Sequence, residues 1–339
     1  MPSENVPETL PAPAKINLFL HITGRRADGY HELETIFQFL DLADEITLKI
    51  RGDGNIRRMV DPAGDSVEVP EERDLTVRAA RALKAATGSP LGADITLKKR
   101  IPTGGGLGGG SSDAAAVLVG LNRVWKLGLG MGKLAEIGLT LGADVPVFVR
   151  GQAAFATGVG EKLLPVELPE PWYLVISPGC AVPTAEIFNA PDLTRDTPPI
   201  KIHTLLPEGT ESAPRSPAPY RKNKDSEKTV QRVSAAAFEL VSSLFWQTGN
   251  DCEAVVRKNY PPVNAALRWL SRFGNARMTG TGACVFAPFR ERREAEQMLS
   301  LLPGAAGERE EREGWTGFVA RGLNRSPLIE VDFQGGVYL

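Results

Sequence analysis

Between Pro102 and Asp113 the chain reads Pro-Thr-Gly-Gly-Gly-Leu-Gly-Gly-Gly-Ser-Ser-Asp, with six glycines among the seven residues from Gly104 to Gly110. A strand-like alternation, Ala93–Lys99, ends just before it. An Ala- and Leu-rich helical pattern, Ser111–Trp125, follows it. Glycine leaves backbone N–H groups unshielded and adopts positive φ without strain, at an entropic cost too high for a mere spacer. The first turn of a helix adds unpaired N–H donors and the positive end of the helix dipole. A strand, a glycine loop and a helix start therefore predict a cradle for a di- or triphosphate. The hydroxyls of Ser111 and Ser112 are placed to cap the helix or to touch a phosphate or its Mg²⁺.

Two well-known nucleotide loops fit this run poorly. The P-loop pattern needs a Lys before the serine, and none precedes Ser111. Gly104-x-Gly106-x-x-Gly109 matches the dinucleotide pattern literally. That fold also wants an acid about 20 residues on, and Val124–Lys133 has none. An NAD(P)-binding oxidoreductase is therefore the weaker alternative.

The 339 residues predict two domains, set here at 1–160 and 161–339. A net charge of −2 gives no overall drive toward nucleic acid or an anionic membrane. The three cysteines, Cys180, Cys252 and Cys284, form no disulfide framework or CxxC pair, and three histidines make a multi-histidine metal centre improbable. The start of the chain lacks a basic region followed by an apolar one, and no run of about 20 apolar residues occurs. The expectation is a cytoplasmic protein with no membrane partner.

Strands are expected at Lys15–Thr23, Leu33–Leu40, Asp44–Ile50, Pro146–Arg150, Trp172–Ser177 and Gly317–Arg321, with another in Arg277–Pro288 split by a Thr-Gly-Thr-Gly turn. Helices are expected at Leu75–Ala86, with Asp74 as N-cap, and at Met131–Leu141, Ser234–Phe245, Asp251–Lys258, Val263–Phe273 and Glu291–Leu302. Arg51–Glu71 reads as a loop or hairpin tip. No regular βαβ beat appears, so the fold class is α+β. Residues 207–229 hold four Pro, nine charged residues and a single large apolar residue, Tyr220, which predicts a mobile surface insertion.

Pro102, Gly106, Leu107, Gly108, Ser111 and Ser112 resemble the Pro-x-x-x-Gly-Leu-Gly-Ser-Ser loop of the GHMP kinase superfamily, with Gly109 and Gly110 inserted. Further stretches resemble its branch that acts on cytidine diphospho-methylerythritol. They are Pro13-Ala-Lys-Ile-Asn17, Arg26-Ala-Asp-Gly-Tyr-His31, Leu141-Gly-Ala-Asp-Val-Pro146, Asn250-Asp-Cys-Glu253 and Met278-Thr-Gly-Thr-Gly-Ala-Cys284. The resemblance spans roughly Pro13 to Leu328, apart from the polar insertion. It implies a two-domain α+β kinase with its site in the interdomain cleft. The implied reaction is ATP-dependent phosphorylation of the substrate's 2-hydroxyl, in non-mevalonate isoprenoid synthesis. Another GHMP kinase, of homoserine or mevalonate type, or a non-catalytic ligand sensor, is the alternative.

The resemblance also implies roles. Asp144 would be the base and Lys15 would stabilise charge; on residue type alone, these are a turn aspartate and an edge-strand lysine. Lys99 and the loop residues Pro102, Thr103, Gly104, Gly105, Gly106, Leu107, Gly108, Gly109, Gly110, Ser111 and Ser112 would hold ATP. Asn17, Tyr30, His31, Thr184 and Phe188 would hold the cytidylyl substrate, the aromatic faces stacking on the base. No side-chain metal cage is expected. Mg²⁺ would arrive with ATP, near Ser112 or Asp113, although Asp113 could simply favour the helix dipole.

Overall fold

The structure is a computed structural model that describes residues 6–60, 70–200, 239–303 and 314–330. The expected insertion at 207–229 lies outside these residues, as does the start of the helix expected at Ser234–Phe245; residues 239–247 are helical.

The described strands form one ten-stranded mixed sheet whose main path runs β3-β4-β2-β10-β7-β9-β8. Strand β1 (Glu8–Arg25) pairs antiparallel with β2 (His31–Arg51), which also pairs with β4 (Gly92–Lys98) and β5 (Ala154–Thr157). Strand β3 (Ile56–Met59) lies parallel to β4, and β6 (Lys162–Pro165) pairs with β5. Strands β7 (Trp172–Ser177), β8 (Arg277–Met278) and β9 (Val285–Phe289) build the other half. The late strand β10 (Thr316–Leu323) joins the halves, pairing with β7 along its length and with β2 at Gly322 and Leu323. Helices cover the sheet, so the α+β expectation holds.

Helix α1 (Leu75–Thr87) is capped as expected: the Asp74 carboxylate accepts from the Thr76 and Val77 N–H groups. Helix α2 (Gly109–Val124) carries Ala114–Leu121 into a core shared with Phe39, Ile46 and Leu83. It begins at Gly109, two residues before the expected start. A Cβ on Gly109 would lie 3.0 Å from Lys99 Nζ and 3.2 Å from Ile101, so the glycines admit the first helical turn against β4. Helix α3 (Met131–Leu139) follows.

Three expectations need correction. Pro146–Arg150 is not a strand but lies within helix α4 (Val145–Arg150). Its Pro sits in the first turn, where a missing N–H costs nothing, and left-handed Gly151 ends it. Leu33–Leu40 and Asp44–Ile50 are one strand, β2. Asp44, expected to start a separate strand, is fully buried within β2 and accepts from the Arg100 and Ile101 N–H groups. Arg51–Glu71 contains β3 instead of loop alone. Strand β1 also begins before Lys15 and runs through Pro11 and Pro13. It pairs only with β2 among the described strands, and prolines are tolerated at a sheet edge.

Candidate active site

Residues two apart on a strand share a face. Lys15 and Asn17 on β1 thus meet Leu33, Thr35 and Phe37 on β2, and all five line one side of a cavity of about 590 Å³. The glycine loop lines another side with every residue from Pro102 to Ser111. Thr184 and Phe188 from helix α5 (Thr184–Asn189) and the Gly280-Thr281 turn close one end. Arg58, Arg73, Leu97 and Lys99 line the other.

Lys15 stands on an edge strand yet is not solvated: its side chain is 3% exposed. The ammonium lies 3.3 Å from Asp144 Oδ2, donates to Asn17 Oδ1 at 2.6 Å and to the Gly106 carbonyl at 3.1 Å, and sits 5.3 Å over the Phe37 ring. Three acceptors match its three donors. Asp144 occupies the cap position of α4, yet its carboxylate makes no capping bond and points to Lys15 instead, with its side chain 34% exposed. The pair therefore combines a buried cation with a solvent-reachable carboxylate.

The glycine loop is shaped by what surrounds it. A Cβ on Gly106 (φ +75°) would fall 2.3 Å from the Thr279 carbonyl, and one on Gly105 would fall 2.5 Å from Cys284 Sγ. Glycine is required at both. Lys15 N–H donates to the Leu107 carbonyl, while the Ala283 and Cys284 N–H groups donate to the Gly104 and Gly105 carbonyls, so β1 and the Thr279–Cys284 turn hold the loop from two sides. Ser112 is fully buried, and its hydroxyl has no partner among the described residues.

Lys99 bridges two carboxylates, Asp44 Oδ2 at 2.5 Å and Asp113 Oδ2 at 3.1 Å. Burial disfavours its charge, but Asp113 and Asp44 outweigh burial and hold its pKa above the ordinary lysine value. Burial pushes the Asp113 carboxyl well up; Lys99 opposes this and Asp44 adds to it. Asp113 Oδ1 faces no partner among the described residues. Asp113 is thus tied to Lys99 and does more than complement the helix dipole.

The substrate candidates divide. Asn17, Thr184 and Phe188 line the cavity; the Thr184 hydroxyl lies 3.0 Å from that of Thr281. Tyr30, 63% exposed, and His31 are outside its lining, but the His31 ring stacks on Phe188 with centroids 5.1 Å apart and planes 22° apart. Burial, then Arg195 and Arg25, lower the His31 pKa and favour neutral imidazole.

Sequence reasoning overlooked Thr35 and Arg195. Thr35 was findable: it alternates with Leu33 and Phe37 on β2, and its hydroxyl accepts from Asn17 Nδ2. The Asn250–Glu253 block, noted without a role, braces the turn. Asn250 Nδ2 donates to the Met278 and Gly280 carbonyls at 2.8 Å each, and Glu253 accepts from the Met278 N–H. Cys252 and Cys284 are buried, with thiols pushed up to about 12 chiefly by burial, as expected of inert cysteines.

Among the described residues, no helix is long and apolar enough to cross a membrane, and no group of three or more His, Cys, Asp or Glu could hold a metal ion.

Comparison with known proteins bears on the fold and the family. The family model "GHMP kinases N terminal domain" matches residues 74–152, and "GHMP kinases C terminal" matches 230–306. A 4-diphosphocytidyl-2-C-methyl-D-erythritol kinase of Alkalilimnicola ehrlichii is 50% identical over 319 residues, covering 94% of this chain and 92% of the relative. One from Pseudomonas aeruginosa strain LESB58 is 50% identical, covering 94% of this chain and 95% of its own. A solved 4-(cytidine 5'-diphospho)-2C-methyl-D-erythritol kinase superposes with a TM-score of 0.66 at 30% identity, covering 93% of this chain and 99% of the other. A mevalonate kinase structure, at 17% identity and a TM-score of 0.60, shares the fold.

Proposed function

The chain belongs to the 4-diphosphocytidyl-2-C-methyl-D-erythritol kinases of the GHMP kinase superfamily, and from that premise we propose how its own residues carry out the transfer. The enzyme moves the γ-phosphoryl group of ATP to a hydroxyl of the cytidylyl substrate. The observation that carries the residue-level reading is the Lys15–Asp144 pair beside the glycine-lined cavity.

ATP lies with its phosphates along Thr103–Ser111, where glycine N–H groups and the positive end of α2 offset their charge. Lys99 lines the same end of the cavity and is assigned to the nucleotide. The substrate's 2-hydroxyl oxygen bonds to the γ-phosphorus as the bond from that phosphorus to the ADP oxygen breaks. Its proton passes to the Asp144 carboxylate, and ADP leaves. Lys15 is held rigidly by Asn17 and Gly106, so it meets the charge developing on the transferring group without reorganising.

Mg²⁺ accompanies ATP in this reading. The unpartnered Ser112 hydroxyl and Asp113 Oδ1 are the oxygens that fit it, although burial holds Asp113 toward its neutral form. When bound, the ion would neutralise phosphate charge.

The cytosine end of the substrate is assigned to Phe188 and His31, with Tyr30 at the rim. Asn17 and Thr184 face the part nearer the reacting hydroxyl. Residues 1–160 supply Lys15, the loop and Asp144; 161–339 supply Thr184, Phe188 and the Thr281 turn. We place the enzyme in the cytoplasm, where its three free thiols would stay reduced.

An ADP-release assay tests the reading, comparing 4-diphosphocytidyl-2-C-methyl-D-erythritol with homoserine, mevalonate and galactose. Turnover is expected with the cytidylyl compound alone, and His31→Ala should raise its KM while sparing that of ATP. Turnover with another alcohol instead, or ATP binding without any turnover, would overturn the substrate or the activity.

A further inference from the structure

Arg195 lies just beyond α5, in a segment where no sequence motif drew attention. Its guanidinium is half-buried and makes four hydrogen bonds. Nη2 donates to the Phe188 carbonyl at 3.0 Å and the Ala190 carbonyl at 2.7 Å; Nη1 donates to the Leu193 carbonyl at 3.0 Å. The Phe188 and Ala190 carbonyls lie at the C-terminal end of a short helix, where a cation is favoured, and Leu193 lies just beyond it. The Nε–H donor points at His31 Nε2 at 3.0 Å.

That last contact has a chemical consequence. Arginine has donors only, so the imidazole nitrogen facing it must be an unprotonated acceptor. In neutral histidine the proton then resides on the other nitrogen, Nδ1. Nδ1 has no hydrogen-bond partner among the described residues. The side of His31 left for a ligand is therefore a donor. The same guanidinium ties His31 to the helix that carries Phe188, on which the imidazole stacks.

We propose that Arg195 is a positioning residue for base recognition: it locks His31 in the Nδ1–H form and in register with Phe188, so that the pair presents one aromatic face and one N–H donor to the base. This rests on the assignment of His31 and Phe188 to the cytosine end. Such a donor accepts cytosine, whose N3 is an acceptor, and meets a clash of two donors at N3–H of uracil. Arg195 acts through His31 and touches no reacting atom.

Two measurements on the full chain test this. In ¹⁵N-histidine-labelled free enzyme, the His31 signals should report protonated Nδ1 and bare Nε2 near pH 7.5, and Arg195→Leu should mix the two tautomers. In steady-state kinetics, Arg195→Leu should raise KM for the cytidylyl substrate about tenfold while KM for ATP stays within about twofold, with partial recovery in Arg195→Lys. A double-mutant cycle separates the proposed role from plain support of α5. On a His31→Ala background Arg195→Leu should add nothing further to KM. A wild-type His31 protonated at Nε2, an unchanged KM in Arg195→Leu, or an additive loss in the double variant would each overturn the proposal. An unchanged KM in His31→Ala would instead remove the base-recognition reading on which it stands.

Discussion

Asn17 Oδ1 receives the Lys15 ammonium at 2.6 Å, from two residues along the same face of β1. The orientation of that amide is not free. Its Nδ2 donates to the Thr35 hydroxyl at 2.9 Å, and Thr35 donates on to the Phe19 carbonyl. A buried chain of four groups thus sets which end of Asn17 meets the lysine, and so where the charge over the cavity stands.

Thr35→Val keeps the shape of this side chain but removes its hydroxyl. Asn17 loses the partner that orients it, and the Phe19 carbonyl loses its donor. We expect a stability loss of about 1–3 kcal/mol by urea denaturation and a kcat lowered about ten- to a hundredfold. Thr35→Ser, which keeps the hydroxyl, should recover most of both. Equal kcat in Thr35→Val and wild type would show that Lys15 needs no such alignment.

Gly106→Ala would drive a Cβ to 2.3 Å from the Thr279 carbonyl at a backbone φ of +75°. Gly132, in the first turn of α3, has nothing within 4 Å of its virtual Cβ. Gly106→Ala should lower Tm and abolish detectable ADP release. Gly132→Ala should leave activity alone and raise stability by about 0.4–1 kcal/mol. Similar behaviour of the two variants would mean that the loop tolerates the displacement.

Asn250 holds the Met278 and Gly280 carbonyls with one amide, and its Oδ1 accepts from the Cys252 N–H at 3.0 Å. An Asp of the same shape keeps the acceptor but loses both donations. Asn250→Asp should therefore destabilise the fold by about 2–3 kcal/mol and raise KM for the cytidylyl substrate, because the turn beside Thr281 loosens. Wild-type Tm and KM in this variant would contradict the brace.

Asp113 makes stability depend on pH with a sign that can be worked out. Burial raises its folded pKa above the unfolded value, so above the ordinary carboxylate range the folded state holds a proton that the unfolded state has released. Its contribution to stability therefore falls as pH rises from that range toward neutrality. The lowered pKa values of His21 and His31 act in the opposite sense, so the test is a difference. Relative to wild type, Asp113→Asn should gain stability progressively between pH 5 and pH 7.5, read as urea midpoints. A gap independent of pH would show that Asp113 is ionised throughout.

The glycine loop was legible because it is local, a run of a single residue type, whereas Lys15 and Asn17 stood out only through the resemblance to the kinase family. The helix that carries Asp144 was not legible. Val-Pro-Val-Phe-Val is apolar and β-branched, and six residues are too short to show a helical period. Its identity was decided by Pro146 in the first turn and by left-handed Gly151, while tertiary packing buried all its apolar side chains. The continuity of β2 through Asp44 was not legible either. An acid mid-strand signals a break unless a distant Lys99 and two N–H groups await it, and no local pattern records that. Arg195 was illegible for the same reason, since its chief partner lies 164 positions away.

The central claim is that Asp144 takes the proton while Lys15 offsets charge on the transferring phosphoryl group. Single-turnover phosphoryl transfer in Asp144→Asn, with ATP and the cytidylyl substrate both saturating, tests it most directly. Asparagine fills the same space beside Lys15 but accepts no proton at neutral pH. The account predicts a rate constant for transfer lowered at least about a hundredfold, with binding of both substrates and Tm near wild type. A rate within a few-fold of wild type, with both substrates bound, would contradict it and remove Asp144 from the chemistry.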